Sequence, residues 1–239
     1  MGLNEKFFAS ATTVIDPILY LDAGDSNSYS GTGTTWYDLT ANNNDATITG
    51  ATWNSGGYFE VQSSDFFSLP QGAPFNRSNT IKCISGWIKA DTTTSRVWLF
   101  NISSSTNTSD YFYIGYIPDA NLITVYTRDG SSSNQSFSQA TITPNTDWNH
   151  IVVQITSTER EIYLNGTKLS TTVTNVGTGN ATSWIDYPSY SGTIKGEIGR
   201  LRAASPAPSH YSDGQISKVR LYDKTLTQIE ITALHSEGR

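Results

Sequence analysis

Asp147–Leu169 reads DWNHIVVQITSTEREIYLNGTKL, and this stretch decides the fold. Ile151, Val153 and Ile155 alternate with His150, Val152, Gln154 and Thr156, the period of two that a half-buried strand requires. A polar bend follows at Ser157–Arg160. Ile162 and Leu164 then alternate with Glu161 and Tyr163. Asn165-Gly166 comes next, a pair suited to the positive φ angles of a type I′ turn, and it returns the chain through Thr167–Leu169. The stretch predicts a three-strand antiparallel meander.

The same punctuation extends in both directions. Strand runs are expected at Val14–Asp22, Ala46–Trp53, Tyr58–Gln62, Phe66–Leu69, Thr80–Ala90 and Arg96–Asn101. Further runs are expected at Tyr111–Ile117, Leu122–Thr127, Ser136–Ile142, Ile194–Arg200 and Gly214–Tyr222. Turn chemistry separates them, as at Gly56-Gly57, Asp129-Gly130 and Asp213-Gly214. Short strands at this spacing predict an all-β, two-sheet antiparallel β-sandwich of the jelly-roll kind. One helical signal stands apart. Thr227 can cap a helix over Gln228–His235, with Glu230 at the capping-box position, and Ile229, Ile231 and Leu234 are expected to pack it down. No shift in composition divides the chain, so 14–239 reads as one domain and 1–13 as an arm or linker.

Composition narrows the function. The 239 residues carry a net charge of −6, which argues against nucleic acid, whose phosphates call for a basic face. No run is apolar enough to predict membrane insertion, and no apolar h-region marks a signal peptide. Cys83 is the one cysteine, so no intrachain disulfide forms, and its strand predicts a buried thiol. His150, His210 and His235 are scattered through the chain. No nucleophile elbow, zinc helix or phosphate loop appears. Glu159 and Glu161 are the closest glutamates, and they sit at a charged bend beside Arg160. A glycosidase needs two carboxyl groups flanking the scissile bond. A solvated turn is the simpler reading of this pair, so the chain is expected not to be an enzyme.

Several pieces now combine. Leu19–Trp53 reads LYLDAGDSNSYSGTGTTWYDLTANNNDATITGATW, Ile84–Ala90 reads ISGWIKA, and Asp147–Gln154 and Arg160–Leu169 are the meander. Glu197–Arg200 reads EIGR, and Gly214–His235 reads GQISKVRLYDKTLTQIEITALH. In this order they resemble laminin-G-like domains of the concanavalin A-like lectin/glucanase superfamily. The opening is similar to that of such domains in virion proteins of tailed bacteriophages. The retaining β-glucanases of this fold class carry a Glu-x-Asp-x-x-Glu strand, which this chain lacks. The resemblance implies a concanavalin A-like sandwich. Independently of it, Trp87, Trp148 and Tyr222 are expected to anchor the core or its rim. The resemblance also implies calcium near the first loop, where Asp38, Asn42, Asn44 and Asp45 supply oxygens. Asp38 can also accept backbone N–H groups and order its own loop. The family's closing strand often carries an Asp where Ser217 stands here, and Lys218 follows it.

Two functions from different classes fit. The first is a lectin-like module that binds a cell-surface or extracellular glycan. Its aromatic platforms are expected at loops or loop edges: Trp184, Tyr187, Tyr190, Tyr211, Tyr116 and Tyr126, with Asp186 as a polar anchor. The run SWIDYPSYSG, residues 183–192, is the densest cluster. The second is a structural virion subunit, such as a capsid decoration, head fibre or tail-associated protein, with other virion proteins as partners and an oligomer within reach. The expected location is the virion surface or, alternatively, outside the cell as a secreted protein.

Overall fold

The computed structural model describes residues 16–71, 81–104, 110–128, 134–177, 194–201 and 210–239. The strands are, in order, β1 (Leu19–Asp22), β2 (Thr35–Trp36), β3 (Ala46–Thr49), β4 (Thr52–Asn54), β5 (Tyr58–Val61) and β6 (Phe66–Ser68). Next come β7 (Cys83–Ala90), β8 (Val97–Ser104), β9 (Tyr111–Ile117), β10 (Leu122–Arg128), β11 (Gln135–Thr141) and β12 (Asn149–Ile155). They continue as β13 (Arg160–Leu164), β14 (Thr167–Lys168), β15 (Thr171–Val176), β16 (Ile194–Ile198), β17 (Arg200–Leu201), β18 (His210–Tyr211) and β19 (Gly214–Tyr222). Helix α1 (Gln228–Ser236) follows.

The meander forms as read. β12 pairs with β13 and β13 with β14, and Asn165 and Gly166 take φ of 50° and 80° at the turn. Among the described residues an eight-stranded sheet runs β14-β13-β12-β7-β19-β5-β4, with β1 also on β19. A nine-stranded sheet runs β15-β11-β10-β9-β8-β16-β6-β3-β2, and β17 and β18 form a small ribbon. Pairing is antiparallel throughout both large sheets. The sheets close face to face over one core, because each strand turns alternate side chains inward. Ile84, Ile151, Val153 and Leu221 meet Ile102, Phe112, Ile114 and Val125 there, all fully buried. The Trp36 ring packs at a tilt against Phe59 and Phe67, 4.9 Å from each. Arg160 also lies in the interior, fully buried, and joins the sheets. Its guanidinium donates to Thr127 Oγ1 at 2.8 Å and to Ser136 Oγ at 3.2 Å.

α1 begins at the expected cap. Thr227 accepts from the Glu230 N–H, and the Glu230 carboxylate accepts from the Thr227 N–H at 2.7 Å. Ile231 and Leu234 bury against Cys83, Val152, Tyr163, Tyr222 and Leu226 on the outer face of the eight-stranded sheet. Ile229 corrects the expectation, since it is 78% exposed. At 100° per residue it points away from the stripe that Ile231 and Leu234 share.

Three strands go beyond the sequence reading. β2 and β18 are two-residue pairings too short to show a period, and β15 is a polar edge strand, TTVTNV, with both valines exposed. The run expected at Ala46–Trp53 divides in two, because Gly50 turns the chain with φ 79°. The arm expected at 1–13 lies outside the described residues.

Candidate functional site

The site begins with alternation in β9, YFYIGYI. Phe112, Ile114 and Tyr116 point into the core and are fully buried. Tyr111, Tyr113 and Gly115 therefore face outward from the nine-stranded sheet. Directly opposed residues of antiparallel strands share a face, so the register extends each position into a row. Tyr113 opposes Tyr126 and Asn101, Tyr126 opposes Phe137, and Asn101 opposes Glu197. This central row reads Phe137–Tyr126–Tyr113–Asn101–Glu197. A second row reads Gln135–Arg128–Tyr111–Ser103–Lys195, and a third Gln139–Thr124–Gly115–Trp98. A Cβ at Gly115 would stand 2.7 Å from the Trp98 ring, so only glycine lets that ring lie on the sheet.

The rings form a continuous strip. Trp98 meets Tyr113 edge-on at 5.2 Å, Tyr113 lies 5.1 Å from Tyr126, and Tyr126 lies 4.5 Å from Phe137. Tyr113 and Phe137 are partly exposed, while Trp98, Tyr111 and Tyr126 are buried. Burial, reinforced by Tyr111 next door, holds the Tyr113 phenol far above its usual range. Burial and then a hydrogen bond with Tyr111 do the same to Tyr126. Both therefore stay neutral, able to donate as well as accept. The Arg128 guanidinium lies 5.9 Å from the Tyr111 centroid. Among the described residues, Trp98 Nε1, Arg128 Nε and Ser103 Oγ are buried without a hydrogen-bond partner.

The carboxylate in the central row is already engaged. Arg200 Nε donates to Glu197 Oε2 at 3.0 Å, and its Nη2 donates to Oε1. The Arg200 guanidinium also covers the Phe66 ring, 3.2 Å from the centroid. The Tyr113 and Phe137 rings and the Arg128 side chain are partly exposed, so these rows bring apolar rings and a cation to the surface together.

The sequence-derived candidates separate. Tyr126 lies within β10 in the central row rather than at a loop edge. Tyr211 stands on β18 opposite Arg200, half-buried at the border of the same face. Tyr116 is a correction: it shares the parity of Phe112 and Ile114 and belongs to the core, where its hydroxyl accepts from the Asn145 N–H at 3.3 Å. Trp184, Asp186, Tyr187 and Tyr190 lie outside the described residues. In chain order they fall between β15, the neighbour of β11, and β16, the neighbour of β8. Trp98, Tyr111, Tyr113, Phe137, Asn101 and Arg128 were absent from the sequence reading, although the alternation in YFYIGYI marks two of them.

Asp38, Asn42, Asn44 and Asp45 come together in one loop. Asp38 Oδ1 accepts from the Tyr20 and Thr40 N–H groups at 2.9 and 3.0 Å, and Oδ2 accepts from Thr40 Oγ1 and the Asn44 N–H at 2.8 and 2.9 Å. Asp45 Oδ1 accepts from the Asp38 N–H, and Asn42 Nδ2 donates to the Ile18 carbonyl. Asp38 thus orders its loop as expected. Among the described residues no three His, Cys, Asp or Glu side chains converge as a metal cluster. Ser217 donates to the Gly57 carbonyl, and Lys218 pairs with Asp22 at 3.3 Å. At the charged bend, Lys168 bridges Glu159 and Glu161 at 2.9 and 2.7 Å. His150 is buried, with Nε2 2.8 Å from Ser85 Oγ, and its ring stacks with Trp87 and His235. Cys83 is free and buried, and burial pushes its thiol well up.

This two-sheet architecture defines a lectin/glucanase-like β-sandwich. The family profile Laminin_G_3, of the concanavalin A-like lectin/glucanases superfamily, matches residues 61–232, and the chain belongs to that family. No curated protein matches it. Among solved structures it is similar to Trypanosoma rangeli sialidase in complex with sialic acid, with TM-score 0.63 and 15% identity. That match covers 91% of this chain but 32% of the sialidase, so the chain spans about a third of its length. It is also similar to the CBM40 of Ruminococcus gnavus IT-sialidase bound to α2,3-sialyllactose, with TM-score 0.55 and 12% identity, over 74% of this chain and 96% of the module. At these identities the likeness shows the fold alone.

Proposed function

We propose that the chain is a non-enzymatic carbohydrate-binding module whose ligand lies across the aromatic rows of the nine-stranded sheet. The observation that carries this is the central row, in which three adjacent rings lead into Asn101 and Glu197. Sugar rings present apolar C–H faces to aromatic groups such as the partly exposed Tyr113 and Phe137. The sialyllactose-bound CBM40 module, of the same fold, supports the ligand class. Binding without cleavage is supported by Glu197, both of whose oxygens Arg200 holds, and by the pairing of Glu159 and Glu161 with Lys168.

A panel of neutral and acidic oligosaccharides titrated by calorimetry tests the reading. At least one should bind, and Tyr113→Ala with Phe137→Ala should weaken it about tenfold or more, since each ring contact is worth roughly 0.5–1.5 kcal/mol beyond its buried area. Unchanged affinity in that folded variant would sink the site.

A display role on a phage particle, with other virion proteins as partners, is supported by the opening Leu19–Trp53. The exposed edge strand β15 offers a surface for such contacts. A monomer in solution would count against that role. Calcium at the Asp38 loop would have to displace the four donors on that carboxylate. A melting temperature unmoved by chelator and by millimolar calcium removes the ion from the proposal.

A further inference from the structure

The paths of the two large sheets end in β14 and β4 on one side of the sandwich and in β15 and β2 on the other. Three of these ends are guarded. β2 and β14 are two residues long and β4 is three, and Lys168 stands on β14. β15 differs. It runs six residues, TTVTNV, without a charge or a proline, and its register with β11 continues from Thr171 to Val176 without a bulge. Among the described residues its far side has no strand partner. Residues 172–177 are all exposed, Val173 and Val176 at 40% each. Natural sheets blunt such an edge with short strands, lysine, proline or a bulge, because open N–H and C=O groups template pairing with another chain. The neutrality of β15 points to the partner. Two copies of a chain of net charge −6 repel, and a charge-free strand lets them meet without opposing like charges.

We infer that β15 pairs antiparallel with β15 of a second copy of this chain, about a two-fold axis that makes the two nine-stranded sheets continuous. Directly opposed residues of an antiparallel pair turn their backbone groups either both toward each other or both away. A strand can therefore oppose itself only between residues of equal parity, and the axis falls on a residue. An axis on Thr174 sets Val173 against Asn175 and Thr172 against Val176, so both exposed valines gain a facing side chain. An axis on Val173 would leave Val176 opposite Ser170, outside the strand. Thr174 also opposes Phe137 on β11, so it extends the central aromatic row by one strand. The axis joins the two central rows on one outward face, with the two Phe137 positions three strand spacings apart, about 14 Å. That consequence rests on the carbohydrate-binding reading: an oligosaccharide lying along the row meets rings from both copies. One short strand per copy is a small interface beside the roughly 800 Å² per partner of a standard complex, so the dimer dissociates on dilution.

Sedimentation equilibrium of the full chain from micromolar to submillimolar concentration tests it, comparing wild type, Thr174→Lys, Thr174→Glu and an equal mixture of the two variants. The wild-type mass should rise from 26.1 kDa toward twice that value. Each variant alone should stay at the single-chain mass, because like charges then oppose at the axis, and the mixture should regain the dimer, because lysine then opposes glutamate. Thr174 is exposed, so the melting curves should not move. A wild type that stays single at every concentration, variants that dimerise as it does, or a mixture that stays single overturns the pairing. Adding 3′-sialyllactose should raise the wild-type dimer fraction, and a bound sugar that leaves it unchanged overturns the joined row. A single-chain wild type that binds 3′-sialyllactose overturns the pairing and leaves the carbohydrate reading standing. A dimer that obeys the charge exchange, in a chain that binds neither 3′-sialyllactose nor lactose, keeps the pairing and counts against the carbohydrate reading.

Discussion

His150 shows how a single environment sets a charge. The residue is 1% exposed, its ring packs with those of Trp87 and His235, which also stack on each other at 5.4 Å, and it meets Ser85 through Nε2. Burial first, then the neighbouring His235 and Arg220, lower its pKa to about 3. The unfolded chain regains a histidine near 6.5, so between pH 6.5 and 3 the unfolded state binds the extra proton. Stability contributed by neutral His150 is complete above pH 6.5 and declines below it, by at most about 1.4 kcal/mol per pH unit. Melting temperatures across pH 7 to 4 should fall, and His150→Gln should flatten that dependence. An identical slope in the variant would mean that other groups carry it. His150 was legible in the sequence as a strand residue without a catalytic partner. The stack was not, because it is assembled from β7, β12 and α1, which are far apart in the chain. Tyr116 shows a different loss. Its parity with Ile114 was readable, but a tyrosine near a strand end reads equally as a rim residue until the pairing register is known.

At the scale of the element, α1 separates what local chemistry fixes from what packing fixes. Its capping box was legible because Thr227 and Glu230 interact within one turn. Its buried stripe was legible only in part, since Ile229 turns to solvent while Ile231 and Leu234 meet the sheet. Thr227→Ala should cost about 1 kcal/mol and Leu234→Ala about 2–5 kcal/mol, whereas Ile229→Ser should change stability by less than about 0.5 kcal/mol. Denaturant melts order the three, and an Ile229 variant as damaging as Leu234→Ala would contradict the packing. β15 is the converse case. Its run of threonines has strand propensity but no buried face, so no alternation announces it, and only pairing with β11 makes it a strand.

At the scale of the molecule, the sandwich was legible because its turns and alternations repeat along the whole chain and agree with one another. The site was not, because it is a property of register. Phe137, Tyr126, Tyr113 and Asn101 come from four strands, and nothing in any one of them says that they share a row. The loop-centred expectation retains Tyr211 at the border and looks to 183–192 for the remainder, while the sheet supplies the continuous strip. The most direct measurement is the indole N–H spectrum of the protein titrated with 3′-sialyllactose and lactose. The account predicts that the Trp98 indole resonance shifts with saturation while Trp36, sealed in the core, does not move. A saccharide that binds without moving Trp98, or a full panel that moves no indole, would contradict it.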